Sequence, residues 1–523
     1  MPREPSPIEV AEWQVGVPGL LSEEQIRSAT DAGFLGIEYD DGTDSRFKDL
    51  LILGPELNTV DLSTHDGTAS NVQAFVLSND MHATAFVYAA RRTIAKITAS
   101  TLALADPGTP ITLTANPTDA IYSRKAGGSG MLSFAQGSAN AYVNITTVAN
   151  AGAADTSSAN DQSQAMQVFG HIGGNADEPR IGGMVGQEFL QNVISSSNDM
   201  DDSNWLSRAK VPETVTPTGI AMDGIYVILG TTIGPYWLDN QFLEYQAMIP
   251  ELRNSPDARN CRNMREWNIS GLGILMPLDG GLRFQRNLSG YSIGPEVYGE
   301  NESPVQGEIT AIACTNRFAY LAIYNRSTDQ TWIVCMRPRR VGDWHQHDVS
   351  YWVIGKLTNG AECEAMEYIG TYGGATTHRI VMGSDSDMVW FILGELAREA
   401  DDSAYRFTSA GTCYFTELRR FPGYDKQVEW FEFETENCTA DRTVTLKVSV
   451  DGGTAVAVGA PIASNGFHRV MVDPENEIRG TRIKPQLTLA SNSDQDSPKV
   501  TGTVRMHYRL VDKEFDNAYV GGS

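Results

Sequence analysis

The sequence has no run of apolar residues long enough to cross a membrane as a helix. The longest, such as Ala85-Phe86-Val87-Tyr88-Ala89-Ala90, falls far short of the ~20 residues that a span needs. The first seven residues, Met1-Pro2-Arg3-Glu4-Pro5-Ser6-Pro7, lack the apolar stretch of a secretory signal. Cysteine is scarce. The six are Cys261, Cys314, Cys335, Cys363, Cys413 and Cys438, and no two stand in a C-x-x-C pair. That excludes a disulfide scaffold and removes the close ligand pairs of a structural zinc site. Free buried thiols suit assembly in a reducing cytosol. Positive charge is also short: 40 Lys and Arg stand against 65 Asp and Glu, a net −25. Such a surface does not grip DNA, because neutralising phosphates takes Lys and Arg. Passage of a strand through a pore is compatible with it. Several catalytic signatures are missing too: no G-x-S-x-G elbow, no H-E-x-x-H and no P-loop.

What is present is β-structure on a large scale. The 523 residues are 41 % hydrophobic and 20 % charged, which excludes disorder as the overall state. From about residue 35 to 404, apolar and β-branched runs of four to seven residues are bounded by Gly, Asp, Asn, Ser and Pro. Hairpin centres fall near residues 54, 90, 127, 232, 279, 327 and 385. The long step from 127 to 232 leaves room for another unit around Gln167–Gly174. Units of roughly 40–50 residues that each contain a hairpin are the pattern of propeller blades. From about 405 the spacing becomes strict alternation: Val444, Leu446, Val448 and Val450, then a turn at Asp451-Gly452-Gly453, and later Val504, Met506, Tyr508 and Leu510. Alternation of this kind marks half-buried strands of a jelly-roll or immunoglobulin-like sandwich.

The expected architecture is therefore all-β. An N-terminal arm with a short helix occupies 1–34. A β-propeller of six to eight blades, with seven favoured, occupies 35–404; a stack of unrelated β-sandwiches would give similar strand density there. A β-sandwich occupies 405–523. The helix of the arm is read from the capping box Ser22-Glu23-Glu24-Gln25 and a stop at Gly33. Two further short helices are expected around Glu188–Ile194 and Leu393–Glu399. Gly137–Gln164, rich in Ala, Asn, Ser and Thr, reads as a long insertion, either exposed or packed by a partner.

Chemistry-bearing clusters are few, and each has a plainer reading. His345 and His347 share one face of a strand and suit a metal only with a third ligand. Trp344, Tyr351 and Trp352 beside them make a sheet surface equally natural. The acidic loops Glu38–Asp44, Asp199–Asn204 and Asn492–Asp496 offer oxygens to calcium but do not match an EF-hand loop, and read as solvated turns. Arg337-Pro338-Arg339-Arg340 reads as a strand-end patch or a subunit contact. Trp237, Trp344 and Trp352 are candidates for stacking on sugar rings. A propeller glycosidase needs an acid and a partner base or nucleophile at its channel, and no spacing singles out such a pair. No residue is assigned a catalytic, cofactor-binding or metal-ligating role, and no cofactor is expected.

Two resemblances follow. Ser327-Thr328-Asp329-Gln330-Thr331-Trp332 is similar to the Asp-box hairpin of sialidase-type propellers, Ser-x-Asp-x-Gly-x-Thr-Trp, with two positions departing. More broadly, the order of arm, β-repeats and terminal sandwich over residues 35–512 resembles structural proteins of tailed-bacteriophage tails. The segment Glu367–Arg379, the hairpin Leu446–Val458 and the strand Val504–Leu510 carry it. Similar proteins include propeller-bearing minor tail proteins and the nozzle proteins of short-tailed phages. The resemblance implies a virion component assembled in the host cytoplasm, without catalysis, acting as a scaffold or host-contact module. It implies a homo-oligomer or ring, other phage tail proteins as partners, and a host surface glycan as a possible contact. It implies neither stable nucleic-acid binding nor a membrane span. The alternatives are a propeller carbohydrate-active enzyme and a sugar-binding adhesin, each with an accessory sandwich.

Overall fold

The computed structural model describes residues 8–14, 34–35, 37–41, 43–44, 50–62, 71–78, 86–91, 93–104, 111–113, 115–124, 130–136, 141–144, 166–174, 178–194, 205–211, 214–239, 241, 244–268, 272–294, 305, 307–338, 349–357, 362–370, 378–393 and 405–512. The chain is predominantly β-strand, arranged in several antiparallel sheets, none of which closes on itself.

Seven small sheets follow one another along the middle of the chain. Sheet 1 holds Ala74–Ser78, Phe86–Ala90, Thr93–Thr98 and Ile111–Thr112. Sheet 2 holds Asp119–Arg124, Gly130–Ala135 and Ala141–Asn144. Sheet 3 holds Val168–Gly174, Pro179–Val185, Glu188–Val193 and Leu206–Lys210. Sheet 4 holds Pro217–Asp223, Tyr226–Thr231, Tyr236–Leu238 and Tyr245–Ala247. Sheet 5 holds Arg265–Asn268, Leu272–Leu278, Gly281–Arg286 and Ser289–Ser292. Sheet 6 holds Glu308–Cys314, Ala319–Asn325, Gln330–Pro338 and Val349–Lys356. Sheet 7 holds Met366–Ile369, Arg379–Ser384 and Asp387–Ile392, and takes its fourth strand, Asn58–Val60, from far earlier in the chain.

Central strands of these sheets are buried on both faces, while outer strands such as Leu206–Lys210 and Ser289–Ser292 are largely exposed. In Ala319–Asn325, Ala319, Leu321 and Ile323 enter the core shared with sheet 5, whereas Tyr320 and Ala322 enter the core shared with sheet 7. Side chains alternate across a strand, so a strand covered on both sides reads as an unbroken apolar run. Apolar clusters lie between sheets 1 and 2, 2 and 3, 3 and 4, 4 and 5, 5 and 6, and 6 and 7, and one more lies between 7 and 1. The first strands follow the same succession, each beside the next, with Met366–Ile369 beside Ala74–Ser78.

Two larger sheets share a separate core. One holds Lys499–Asp512 between Ile8–Gln14 and Tyr424–Glu436, with Gly466–Met471 at its edge and Leu50–Leu53 paired near one end. The other runs Ile37–Asp41, Ala410–Phe415, Ile483–Ser491, Arg442–Val450 and Val456–Ala457. Trp13, Leu51, Phe431, Leu446, Leu487 and Met506 meet between them. The turn after Val450 places Asp451 at φ 49° and Gly452 at φ 80°, the left-handed pair of a tight hairpin.

Three expectations differ from this arrangement. Residues 8–14 form a paired strand, because Ala11 and Trp13 alternate inward with Glu12 outward. Ile37–Asp41 and Leu50–Leu53 also join the large sheets rather than the repeats, so the chain enters this unit, leaves it for sheets 1–7, and returns. Glu188–Ile194 is not helical. Glu188–Val193 is a central strand with Phe189, Leu190, Gln191 and Asn192 buried, and burial on both faces gave its apolar residues a helix-like spacing. The capping box at Ser22, the expected helix beyond Leu393 and all of Gly137–Gln164 except Ala141–Asn144 lie outside the described residues.

Candidate functional site

The first strands of sheets 1 to 5 and 7 surround a cavity of about 500 Å³. Asp119 opens the first strand of sheet 2. One of its carboxylate oxygens accepts the Ala120 N–H and the other accepts the Phe169 N–H, both at 2.8 Å, which ties sheet 2 to sheet 3. The Thr118 hydroxyl donates to the Gln167 carbonyl on the same seam at 2.7 Å. Burial pushes the Asp119 pKa up to about 6 against the pull of its two N–H donors and of the charges on Arg265 and Arg262. His171 also lines the cavity; burial holds its imidazole below the ordinary histidine range.

A further part of the wall is Arg262–Glu266, which follows an irregular segment beginning at Asp257. Arg259 N–H donates to Asp257 Oδ1 at 2.8 Å, and Asn260 links Thr232 to Asp279. Cys261 and Asn263 take φ of 60° and 55°. This irregular path sets Arg259, Arg262 and Arg265 against Glu362, Glu364 and Glu367. Arg259 pairs with both Glu308 and Glu362. Arg262 stands 3.6 Å from Glu364, and Gln73 bonds to both of them. Arg265 lies 3.0 Å from Glu367 and donates to the Ile312 and Met366 carbonyls. Asn263 Nδ2 donates to the Thr310 and Glu364 carbonyls at 2.7 Å each. Charge-assisted bonds of this kind, connected in a network, fix sheets 5, 6 and 7 to one another.

The guanidiniums are thus held toward sheets 6 and 7. Among the described residues, neither Asp119 nor Glu266 has a Lys or Arg at ion-pair distance. Burial raises the Glu266 carboxyl above its ordinary pKa, and raises Glu367 against the opposing charge of Arg265. The cavity therefore presents carboxyls disposed to hold protons or to gain from a cation. Carboxyls with raised pKa values in a concave site are also the mark of functional clefts.

The residues singled out from sequence lie elsewhere. His345, His347, Trp344, Asp199–Asn204, Arg339 and Arg340 are outside the described residues. In the Glu38–Asp44 loop, Asp44 is buried. In Asn492–Asp496, Asp494 faces Arg406 at 3.3 Å and Asp496 faces Arg442 at 2.7 Å. Asp329 sits at φ 50° in its hairpin and accepts the Tyr324 hydroxyl at 2.8 Å. Trp352 is buried beneath Arg337 and offers no platform to a sugar, while Trp237 packs edge-on against Tyr226. All six cysteines are free. Among the described residues, no three His, Cys, Asp or Glu gather as a metal site. Sequence reasoning missed Asp119 and the arginine ladder; the one available signal was arginine at every third position in Arg259-Asn260-Cys261-Arg262-Asn263-Met264-Arg265.

No protein-family model and no curated protein matches the sequence. Among solved structures, the extracellular domain of a one component system from B. thetaiotaomicron aligns with a TM-score of 0.42 at 8 % identity, covering 84 % of this chain and 61 % of that chain. This chain thus spans about three fifths of that chain's length. A likeness this slight carries nothing across.

Proposed function

We propose that the chain is a seven-bladed β-propeller carried on a two-sheet β-sandwich, and that it serves as a non-catalytic structural subunit of a tailed-phage tail. The observation that carries this reading is the succession of the seven sheets. Each shares an apolar cluster with the next, sheet 7 shares one with sheet 1, and Asn58–Val60 completes sheet 7 from the start of the repeats. A ring latched in this way leaves only short edges and needs no disulfide to resist opening. Those are the demands on a scaffold assembled in a cell and then loaded mechanically. The sandwich adds an exposed apolar edge, with Val456, Phe467 and Met471 each more than half exposed, where neighbours in a ring or other tail proteins are accommodated. Mass spectrometry of purified virions tests the assignment. Recovery of this chain in stoichiometric amount supports it, and absence from particles overturns it.

One observation favours a second reading, a carbohydrate-active enzyme: the unpaired carboxyls of the cavity. Hydrolysis assays on a panel of polysaccharides, with Asp119→Asn and Glu266→Gln beside the native chain, separate the two. Turnover abolished by either substitution selects the enzyme, whereas no turnover on any glycan leaves the structural reading standing.

A further inference from the structure

We propose that the central cavity is a binding site for a small aliphatic diamine, held by one ammonium group at Asp119 and the other at Glu266. The two carboxyls come from sheets 2 and 5, and both residues line the cavity. Among the described residues, neither has a Lys or Arg at ion-pair distance. Each Asp119 oxygen accepts one backbone N–H and retains acceptor capacity for a further donor. Glu266 is exposed toward the cavity. Between them the wall carries Phe75, Tyr122 and Phe169, apolar surface for a methylene stem and ring faces for the ammonium ends. Burial disfavours the charged form of Asp119 despite its two N–H donors, and an incoming cation offsets that penalty.

Two other charged groups lining the cavity, Arg262 and Arg265, act on Asp119 through their charge and compete with an incoming cation. Arg262 and Arg265 are turned to Gln73, Glu364, Glu367 and backbone carbonyls. His171, with its pKa lowered by burial, is neutral above pH 7 and adds no positive charge. Glu367 shares its charge with Arg265. A metal ion is the weaker match, because no three ligating side chains converge among the described residues.

Isothermal titration calorimetry of the full chain at pH 7.5 and low salt tests the site, with 1,4-diaminobutane and 1-aminobutane as probes. Saturable one-to-one binding of the diamine is expected, with the monoamine at least about tenfold weaker, as the loss of one charge-assisted contact implies. Glu266→Gln and Asp119→Asn each weaken the diamine by about tenfold or more and bring it close to the monoamine. The Glu266 substitution alters an exposed side chain, so its result stands whether or not the Asp119 variant folds. At pH 5 affinity falls, because the carboxyls then bind protons in competition with the ligand. Absence of saturable heat, equal affinity for the two amines, or an unchanged Glu266→Gln variant overturns the proposal. Displacement of the diamine by magnesium chloride, but not by sodium chloride of equal ionic strength, also overturns it in favour of a divalent cation.

Discussion

Arg379 and Ser100 meet across the seam between sheet 7 and sheet 1. The Arg379 Nη1 group donates to the Ser100 carbonyl at 2.9 Å and to the Ala99 carbonyl at 3.1 Å. The guanidinium also lies over the Trp390 ring, 5.5 Å from its centroid. Arg91 Nη1 returns the connection by donating to the Ser386 carbonyl at 2.7 Å. The seam that joins the two ends of the repeats is thus hydrogen-bonded as well as apolar.

Arg379→Ala removes both donations and strips the cation from Trp390. The two carbonyls are left without this donor, so a loss of about 2–3 kcal/mol is expected. Urea denaturation followed by tryptophan fluorescence measures it. A midpoint unchanged within error would show that the seam does not depend on this side chain.

A second prediction concerns the joint between sheets 3 and 4. A Cβ at Gly170 would lie 2.6 Å from Ile220 Cβ and 2.7 Å from the Ile220 carbonyl oxygen. Gly170→Ala therefore forces the strands apart and costs about 1–3 kcal/mol. Since the backbone oxygen blocks the site as firmly as the side chain does, adding Ile220→Ala does not restore the thermal midpoint. Full rescue by the double substitution would place the crowding in the side chain alone.

The pH dependence of stability at Asp119 has a definite sign. Its folded pKa of about 6 lies above the ordinary 3.8, so the native state holds the proton more tightly than the unfolded chain. The contribution is fully present below pH 3.8 and is lost as pH rises through about 6. Between pH 4 and 7, melting temperatures of the native chain should fall relative to those of Asp119→Asn. A constant difference across that range would contradict it.

Glu432 carries the opposite sign. Burial disfavours its charge, but Arg469, His507 and the Trp430 indole N–H all donate to it, and the carboxyl is held below its usual 4.5. Its stabilisation is present above pH 4.5 and is lost as pH falls below it. Glu432→Gln should flatten the acid limb of a pH-stability curve. Trp430, stacked on His507 at 4.5 Å, provides the fluorescence signal.

Much of the local structure was legible in the sequence. Asp279-Gly280, Asp329 and Asp385 mark hairpins because their backbones take positive φ, a conformation that Asp and Gly tolerate. Val444, Leu446 and Val448 alternate because one face of their strand is buried. The long-range pairings were not legible. Ile8–Gln14 pairs with a strand nearly five hundred residues away, and three prolines before it drew the reading toward an extended arm. Gly186 turns the chain at φ 56°, a turn that the apolar spacing of Glu188–Ile194 does not reveal and that makes a strand of the segment expected to be helical. The site was hidden for the same reason. Arg259, Arg262 and Arg265 meet glutamates about a hundred residues later, and local patterning holds no record of such a meeting.

The pairing of Ile8–Gln14 with Thr503–Arg509 sets an order of events during synthesis. When residue 14 leaves the ribosome, its partner strand has not yet been translated, and Asn58–Val60 waits likewise for Met388–Trp390. The strands of sheets 1 to 6 are neighbours in sequence, whereas Ile37–Asp41, Leu50–Leu53 and Asn58–Val60 pair with strands made much later, and Ile8–Gln14 has only Phe34–Leu35 as an early partner. Several early strand edges thus await late partners for most of translation, and exposed strand edges of this kind are the surfaces that invite misassociation and chaperone binding.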